Sequence, residues 1–326
     1  MRPIIKFESI KGTVAPELEA VEELLRETNS SIEMVNDISN QILSSGGKRL
    51  RPLITLLSAA CFGSLSTVNI QLGAIVELIH AATLLHDDVI DNSTKRRNKP
   101  TANFIWDNKL SILAGDFVYA LAFQKMTLLK NIEILEILSG ATSYIVEGEI
   151  IQLTQNKKID IIEEEYFQVI DRKTARLFKI ASELGAVAAK QKQEIVSSMA
   201  KFGQNFGMAY QIINDILDYI DNIEVTGKNY GDDLTEGKPT LPFILAYKNA
   251  DINDQKKLEH ALRVKPEIEV VAPIIKKTNS IEKSTVIANE YIAKALDNLT
   301  EIPSSAAKSS LENLCHYTAT KINITS

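Results

Sequence analysis

The chain has 326 residues, 45 % of them hydrophobic, and a formal charge of −6. That apolar content supports a sizeable core and excludes a disordered polymer. The acidic balance speaks against non-specific nucleic-acid binding, which needs a basic footprint. Only Cys61 and Cys315 occur; without metal-ligand or redox spacing, both are expected to be reduced packing residues in a cytoplasmic protein. No apolar run is read as approaching the roughly 18–20 residues of a membrane span. MRPIIKFESIKG is too short and broken for a secretory signal. Transient contact with a membrane surface stays compatible with this reading.

Along the chain the apolar residues recur at three-and-four spacing, the helical period. Residues 16–43 predict helix with a break near 29–31. GGKRLRP (46–52) is a glycine-opened basic loop leading into the apolar helix ITLLSAACF. Residues 69–91 predict one long helix, followed by the polar, basic connector 92–104. Helical patterns resume at 110–128, 131–155, 163–190 and 193–221. A second polar loop, 224–240, precedes Pro242, which is placed to start another helix. The remainder, 251–326, predicts shorter helices with charged faces. EVVAPII (269–275) is ambiguous between helix and strand, and no alternating strand pattern of useful length appears. The expectation is all-α, one domain over residues 1–326.

Two acidic clusters interrupt this apolar pattern. HDDVID supplies Asp87, Asp88 and Asp91, and NDILD supplies Asn214, Asp215 and Asp218. Residues three and four apart share a helix face, so Asp87 and Asp91 point one way, as do Asp215 and Asp218. Carboxylates gathered at the ends of apolar helices repel one another and pay for desolvation. One such cluster is more often a solvated helix end; two of similar spacing predict a hard divalent cation, Mg²⁺ above all, which completes its shell with water and substrate phosphate.

A diphosphate site also needs cations. Lys48, Arg49 and Arg51 flank the Gly-Gly pair, and Lys95, Arg96 and Arg97 follow the first acidic cluster. Lys173 lies in DRKTARLF, and Lys228 and Lys238 lie in the second polar loop. Each alone reads as a solvated surface charge. Beside both acidic clusters they read as a shared polyphosphate site. GGKRLRP is not a Walker A loop, since it lacks that spacing and no strand precedes it.

Taken in order, GGKRLRP, HAATLLHDDVID, RRNKPTAN, AGDF, KTA, QIINDILDY and GKNYGDDLTEGKPTLP resemble the motifs of the trans-polyprenyl diphosphate synthases, most closely the bacterial, octaprenyl-making type. The resemblance covers nearly the whole chain. It implies a single large helical bundle around a central apolar cavity, and up to three Mg²⁺ ions held by Asp87, Asp88 and Asp91 with Asp215, Asp218 and Asn214. It implies that Arg96, Lys173, Lys228 and Lys238 contact the allylic diphosphate. Lys48, Arg51, His80 and Arg97 would hold isopentenyl diphosphate, and Thr174 and Gln211 would support the allylic region. Two positions depart from the pattern: Asn214 stands where the family commonly has Asp, and Asn98 where it commonly has Gly. Loss of a charge at Asn214 bears on Mg²⁺ affinity.

The implied reaction is head-to-tail addition of isopentenyl diphosphate to an allylic diphosphate, in a homodimer. Ala82 lies five residues before Asp87, about 7.5 Å along the helix. With Thr83 it leaves open a level that bulky aromatics block in short-chain relatives. Tyr119, Phe123 and Met126 share one face of the next helix and are candidates for a deeper floor, or for ordinary core. The expected product is long, octaprenyl within a heptaprenyl-to-nonaprenyl range, serving as the tail of a respiratory quinone. Two rivals are weighed against this reading. A class I terpene cyclase needs a third metal ligand where the series Asn214, Asp218, Asn222 ends without an acid. A non-catalytic partner subunit would have no need to keep both the acidic and the basic sets.

Overall fold

The computed structural model describes residues 5–27, 30–96, 99–220 and 230–323. Arg97, Asn98 and Lys228 lie outside the described residues. The apolar period produces helices α1 (Phe7–Lys11), α2 (Ala15–Arg26), α3 (Glu33–Leu43), α4 (Leu50–Ala60) and α5 (Thr67–Ile90). Then come α6 (Ala102–Ile105), α7 (Asn108–Leu128), α8 (Ile132–Gln155), α9 (Glu163–Ile170), α10 (Arg176–Ala188) and α11 (Gln193–Leu217). After the second polar loop follow α12 (Asp232–Thr235), α13 (Leu241–Asn249), α14 (Ile252–Arg263), α15 (Ile268–Lys277), α16 (Ser280–Asn298) and α17 (Ala306–Asn323). The fold class is all-α, as the sequence predicts. The ambiguous run 269–275 is helical, with Val271, Ile274 and Ile275 buried and Pro273 tolerated inside α15.

Three local features depart from the sequence reading. The basic connector contains a small antiparallel pair, Lys95–Arg96 with Lys99–Pro100, in the register Lys95 to Pro100 and Arg96 to Lys99. The predicted helix 163–190 is broken by a π-helical turn, Asp171–Ala175, in which the Arg176 N–H reaches back five residues to the Asp171 carbonyl. The third departure is α5 itself: its 24 residues are long and apolar enough to cross a membrane. The two His and two Asp near its end hide that run from a reading by eye. Since 67 % of its most apolar stretch is buried by protein, α5 has the character of a core helix.

The chain divides into two compact units, residues 1–142, 177–203 and 301–313 in the first and residues 143–176, 204–300 and 314–326 in the second. In the first unit α5 is the hub, packing against α2, α4 and α7. Its start is fixed by Asn69, whose side-chain oxygen accepts from both the N–H and the hydroxyl of Ser66. Leu72, Ile75, Ile79, Ala82 and Leu85 are fully or nearly fully buried along it. Helices α10 and α11 approach so closely that a Cβ at Gly203 would lie 2.3 Å from the Phe178 carbonyl oxygen.

The second unit has two apolar clusters. One gathers Tyr166, Ile170, Ile212, Ile216, Leu241 and Leu245 from α9, α11 and α13. The other gathers Phe243, Leu258, Leu262, Val271 and Ile275 from α13, α14 and α15. Burying one such side chain contributes about 1.5–3 kcal/mol, so α11 is held firmly by the residues on either side of its acidic positions.

Candidate active site

In the first unit the acidic cluster occupies the last turn of α5. Asp87 and Asp91 are half-buried one turn apart, and the Asp91 N–H donates to the Asp87 carbonyl. A helix C-terminus carries partial negative charge, so two carboxylates there call for a compensating cation. Asp88 faces inward instead: it is 1 % exposed, and one of its oxygens accepts from Arg96 Nε at 3.0 Å and Nη2 at 2.8 Å. Burial pushes the Asp88 carboxyl above its ordinary value against the opposing pull of Arg96. Burial works to lower the Arg96 pKa, but the charges of Asp88, Asp87 and Asp91 outweigh it and hold the guanidinium above its ordinary value. Asn103 adds a bond from its side-chain amide to the Asp88 carbonyl.

The basic loop lies before α4. Lys48 is exposed, its ammonium 5.4 Å from the centre of the Phe7 ring, and the Arg51 guanidinium lies 4.5 Å over Phe178. Arg49, grouped by sequence with Lys48 and Arg51, is turned into the fold between Glu22 and Glu77. His80 is half-buried on α5. The Thr83 hydroxyl donates to its carbonyl, and Ala82 is fully buried. The Tyr119 and Phe123 rings lie tilted against each other on α7 with centres 5.5 Å apart, and Met126 is buried a turn further on. The AGDF motif has a packing reason: Gly115 leaves room for the His86 ring, which a Cβ would meet at 2.4 Å, and Asp116 pairs with that ring at 3.3 Å.

In the second unit one cavity of about 110 Å³ brings together the predicted Lys173, Thr174, Gln211, Asp215 and Lys238, with Asp233 beside them; the predicted Asn214 and Asp218 are not part of its lining. The π turn sets the direction of Lys173, whose ammonium meets Glu149 at 2.6 Å and Gln152 at 2.6 Å, both on α8. Gly148 permits this approach, since a Cβ there would lie 2.6 Å from Arg172 Cβ and 2.9 Å from the Lys173 nitrogen. π turns often mark functional positions for this reason: one extra residue re-aims the side chains that follow.

A chain of hydrogen bonds then fixes the second acidic cluster. Thr174 donates to Gln211 at 2.9 Å, and Gln211 donates to one Asp215 oxygen at 2.6 Å. The buried Tyr166 hydroxyl donates to the other oxygen at 2.6 Å. Burial, then the Asp215 charge, holds the Tyr166 phenol well above its ordinary value, so it remains a donor. Asp218, 1 % exposed, accepts from the backbone N–H groups of Asp232 and Asp233, both at 3.1 Å. Asn214 is half-buried on the same helix. Lys238 pairs with Glu236 at 2.6 Å, and its backbone N–H donates to the Asp233 carbonyl at 2.8 Å.

Among the described residues, no three His, Cys, Asp or Glu side chains converge as a ready metal cluster. Asp88, Asp215 and Asp218 are each engaged by donors of the chain. The donors nonetheless fit a hard divalent ion: they are oxygen throughout, and one Asp233 carboxylate oxygen is buried without a hydrogen-bond partner. Sequence reasoning missed Tyr166, Glu149, Gln152 and Asp233. In an unbroken helix the seven-residue spacing from Tyr166 to Lys173 would put both on one face; the π turn at Asp171–Ala175 shifts that register.

Comparison with known proteins places this arrangement. The polyprenyl synthetase family profile matches residues 32–278. Octaprenyl diphosphate synthase from Escherichia coli is 37 % identical over 316 residues, covering 96 % of this chain and 98 % of that protein. An all-trans-nonaprenyl-diphosphate synthase from Rhodobacter capsulatus is also 37 % identical, covering 97 % and 98 %. The solved structure of a Caulobacter crescentus polyprenyl synthase, complexed with calcium and isoprenyl diphosphate, superposes with a TM-score of 0.94 at 33 % identity and covers 98 % of this chain and 99 % of that one.

Proposed function

The chain belongs to the polyprenyl synthetase family, and from that premise we propose that it elongates an allylic diphosphate with isopentenyl diphosphate to an all-trans octaprenyl diphosphate. Trans-prenyl transfer giving a long-chain all-trans polyprenyl diphosphate follows from family and structural similarity together. Membership also implies Mg²⁺-dependent catalysis. Product length is the finer step. Relatives equally identical to this chain are an octaprenyl and a nonaprenyl synthase, so identity alone does not choose between them. The buried Ala82 in the α5 core, with Tyr119, Phe123 and Met126 further along on α7, supports a long product.

The observation that carries the reading is the cavity of the second unit, where Lys173, Lys238 and Asp215 are positioned by neighbouring side chains beside Asp233. In the proposed site, Asp87, Asp88, Asp91, Asn214, Asp215 and Asp218 would hold up to three Mg²⁺ ions, the Asp88 carboxylate also accepting from Arg96. When bound, the metal offsets the charge that develops as the allylic carbon–oxygen bond ionises. Arg96, Lys173, Lys228 and Lys238 bind the allylic diphosphate and stabilise it as it departs. Lys48, Arg51, His80 and Arg97 bind isopentenyl diphosphate and orient its double bond towards the allylic carbon. Thr174 and Gln211 hold Asp215 in place, and the departing diphosphate takes the proton lost at the end. Apolar walls exclude the water that would quench the cation. Lys173, bonded to Glu149 and Gln152, exchanges these partners for phosphate oxygens on binding.

We place the reaction in a single synthase domain, residues 1–326, in the cytoplasm, with transient membrane contact at product release and the product destined for a respiratory quinone. The decisive experiment incubates the purified chain with Mg²⁺, farnesyl diphosphate and labelled isopentenyl diphosphate, then resolves the dephosphorylated products by length. A main prenol of eight isoprene units is expected. Arrest at three or four units would refute the long-product reading. Binding without elongation would replace the enzyme by a regulatory subunit.

A further inference from the structure

The loop before α4 is held in a costly conformation. Gly46 and Gly47 have φ of +82° and +129°, and Arg49 itself sits at φ +46°, ψ +45°. Glycine adopts such angles freely, but a residue with a Cβ pays about 1–2 kcal/mol. Something must hold Arg49 there, and its side chain supplies it.

The Arg49 side chain is 10 % exposed and its guanidinium reaches three elements at once. Nε and Nη2 fork onto the two oxygens of Glu22 on α2 at 2.5 and 3.1 Å. Nη1 donates to Glu77 on α5 at 2.8 Å, and Nη2 also donates to the carbonyl of Leu43, the last residue of α3. Of the five N–H groups an arginine carries, four are thereby committed. Glu77 is itself buried, at 6 %, so the carboxylate and the guanidinium each satisfy a charge that would otherwise be stranded. Arg49 is therefore spent inside the protein, while its neighbours Lys48 and Arg51 flank it at the start of α4.

We propose that Arg49 is a positioning residue: with Glu22 and Glu77 it locks residues 46–49 so that Lys48 and Arg51 are presented at fixed spacing to the diphosphate of isopentenyl diphosphate. This rests on the assignment of Lys48 and Arg51 to that substrate. A planar fork serving several acceptors cannot be replaced by an ammonium, so lysine at this position holds the loop only in part.

The test uses the full chain and measures KM for isopentenyl diphosphate at saturating farnesyl diphosphate and Mg²⁺, then the reverse. Arg49→Met is expected to raise the first KM about tenfold, equivalent to about 1.4 kcal/mol, while the KM for farnesyl diphosphate stays within about twofold. Arg49→Lys should fall between. If Arg49→Met does not fold, Glu22→Gln removes only the half-exposed partner and should show the same split more weakly. Equal rises in both KM values, or a lower melting temperature with neither KM changed, would reduce the anchor to plain stability and overturn the proposal. Lys48→Ala separates the layers. If it raises the isopentenyl diphosphate KM and Arg49→Met does not, the anchor alone fails. If Lys48→Ala leaves that KM unchanged, the substrate assignment fails and takes the anchor with it.

Discussion

A buried thiol loses its proton reluctantly, and Cys61 is such a group: burial raises it to about 11, against the lowering effects of Ser305 and Lys308. The sign of the linkage is definite. The native state keeps the proton after the unfolded chain has lost it, so stability is complete below pH 9 and declines as pH rises towards 11. Two units correspond to roughly 2–3 kcal/mol. Urea unfolding of the wild type should therefore lose about that much more stability between pH 9 and 11 than Cys61→Ala does; equal losses would show that Cys61 ionises freely. The carboxylates teach a related lesson. Their identity and helical spacing were readable from HDDVID and NDILD, but their partners were not. Asp88 turns to Arg96 and Asp215 to Tyr166, because tertiary contacts decide which of several acids on a helix is buried. Arg49 was readable as a cation and unreadable as an anchor for the same reason.

Helices carry their own signature in the apolar period, so nearly all of the architecture was legible as elements. What escaped was local: the π turn at 171–175 and the paired strands at 95–100. Neither has a periodic signal, since a single extra residue or a two-residue ladder is fixed by what it packs on. Close approach between helices is likewise a property of pairs. At Gly203 the obstacle to a Cβ is the Phe178 carbonyl, backbone that cannot swing aside. Gly203→Ala should cost about 1–3 kcal/mol, read as a lower urea midpoint at unchanged slope; an unaltered midpoint would mean that α10 and α11 slide apart freely. On α7, Phe123→Ala tests whether that ring stops the growing chain. Longer prenols are expected, and an unchanged product spectrum would return Phe123 to ordinary packing.

For the whole molecule, the surface suggests company. In the first unit Phe104, Ile105, Ile112 and Leu113 are exposed together on α6 and α7, and in the second Val146, Ile150 and Leu153 form an exposed stripe on α8. Patches of this kind are usually covered in the working protein, and we propose a second copy of this chain as the cover. Light scattering should give twice the 36.1 kDa chain mass. Leu113→Lys should shift it towards the monomer, and a monomeric wild type at micromolar concentration would refute the pairing.

Helix α5 carries a hazard in its own composition. Its most extensive partner, α7, begins only at Asn108, so a nascent chain displays one flank of residues 67–90 before the surface that shields it exists. Until then that flank is uncovered on a helix that meets the length and apolarity of a membrane span. Timing therefore matters: a ribosome stalled before α7 would release a fragment with an uncovered apolar flank, whereas the completed chain closes that flank with α7.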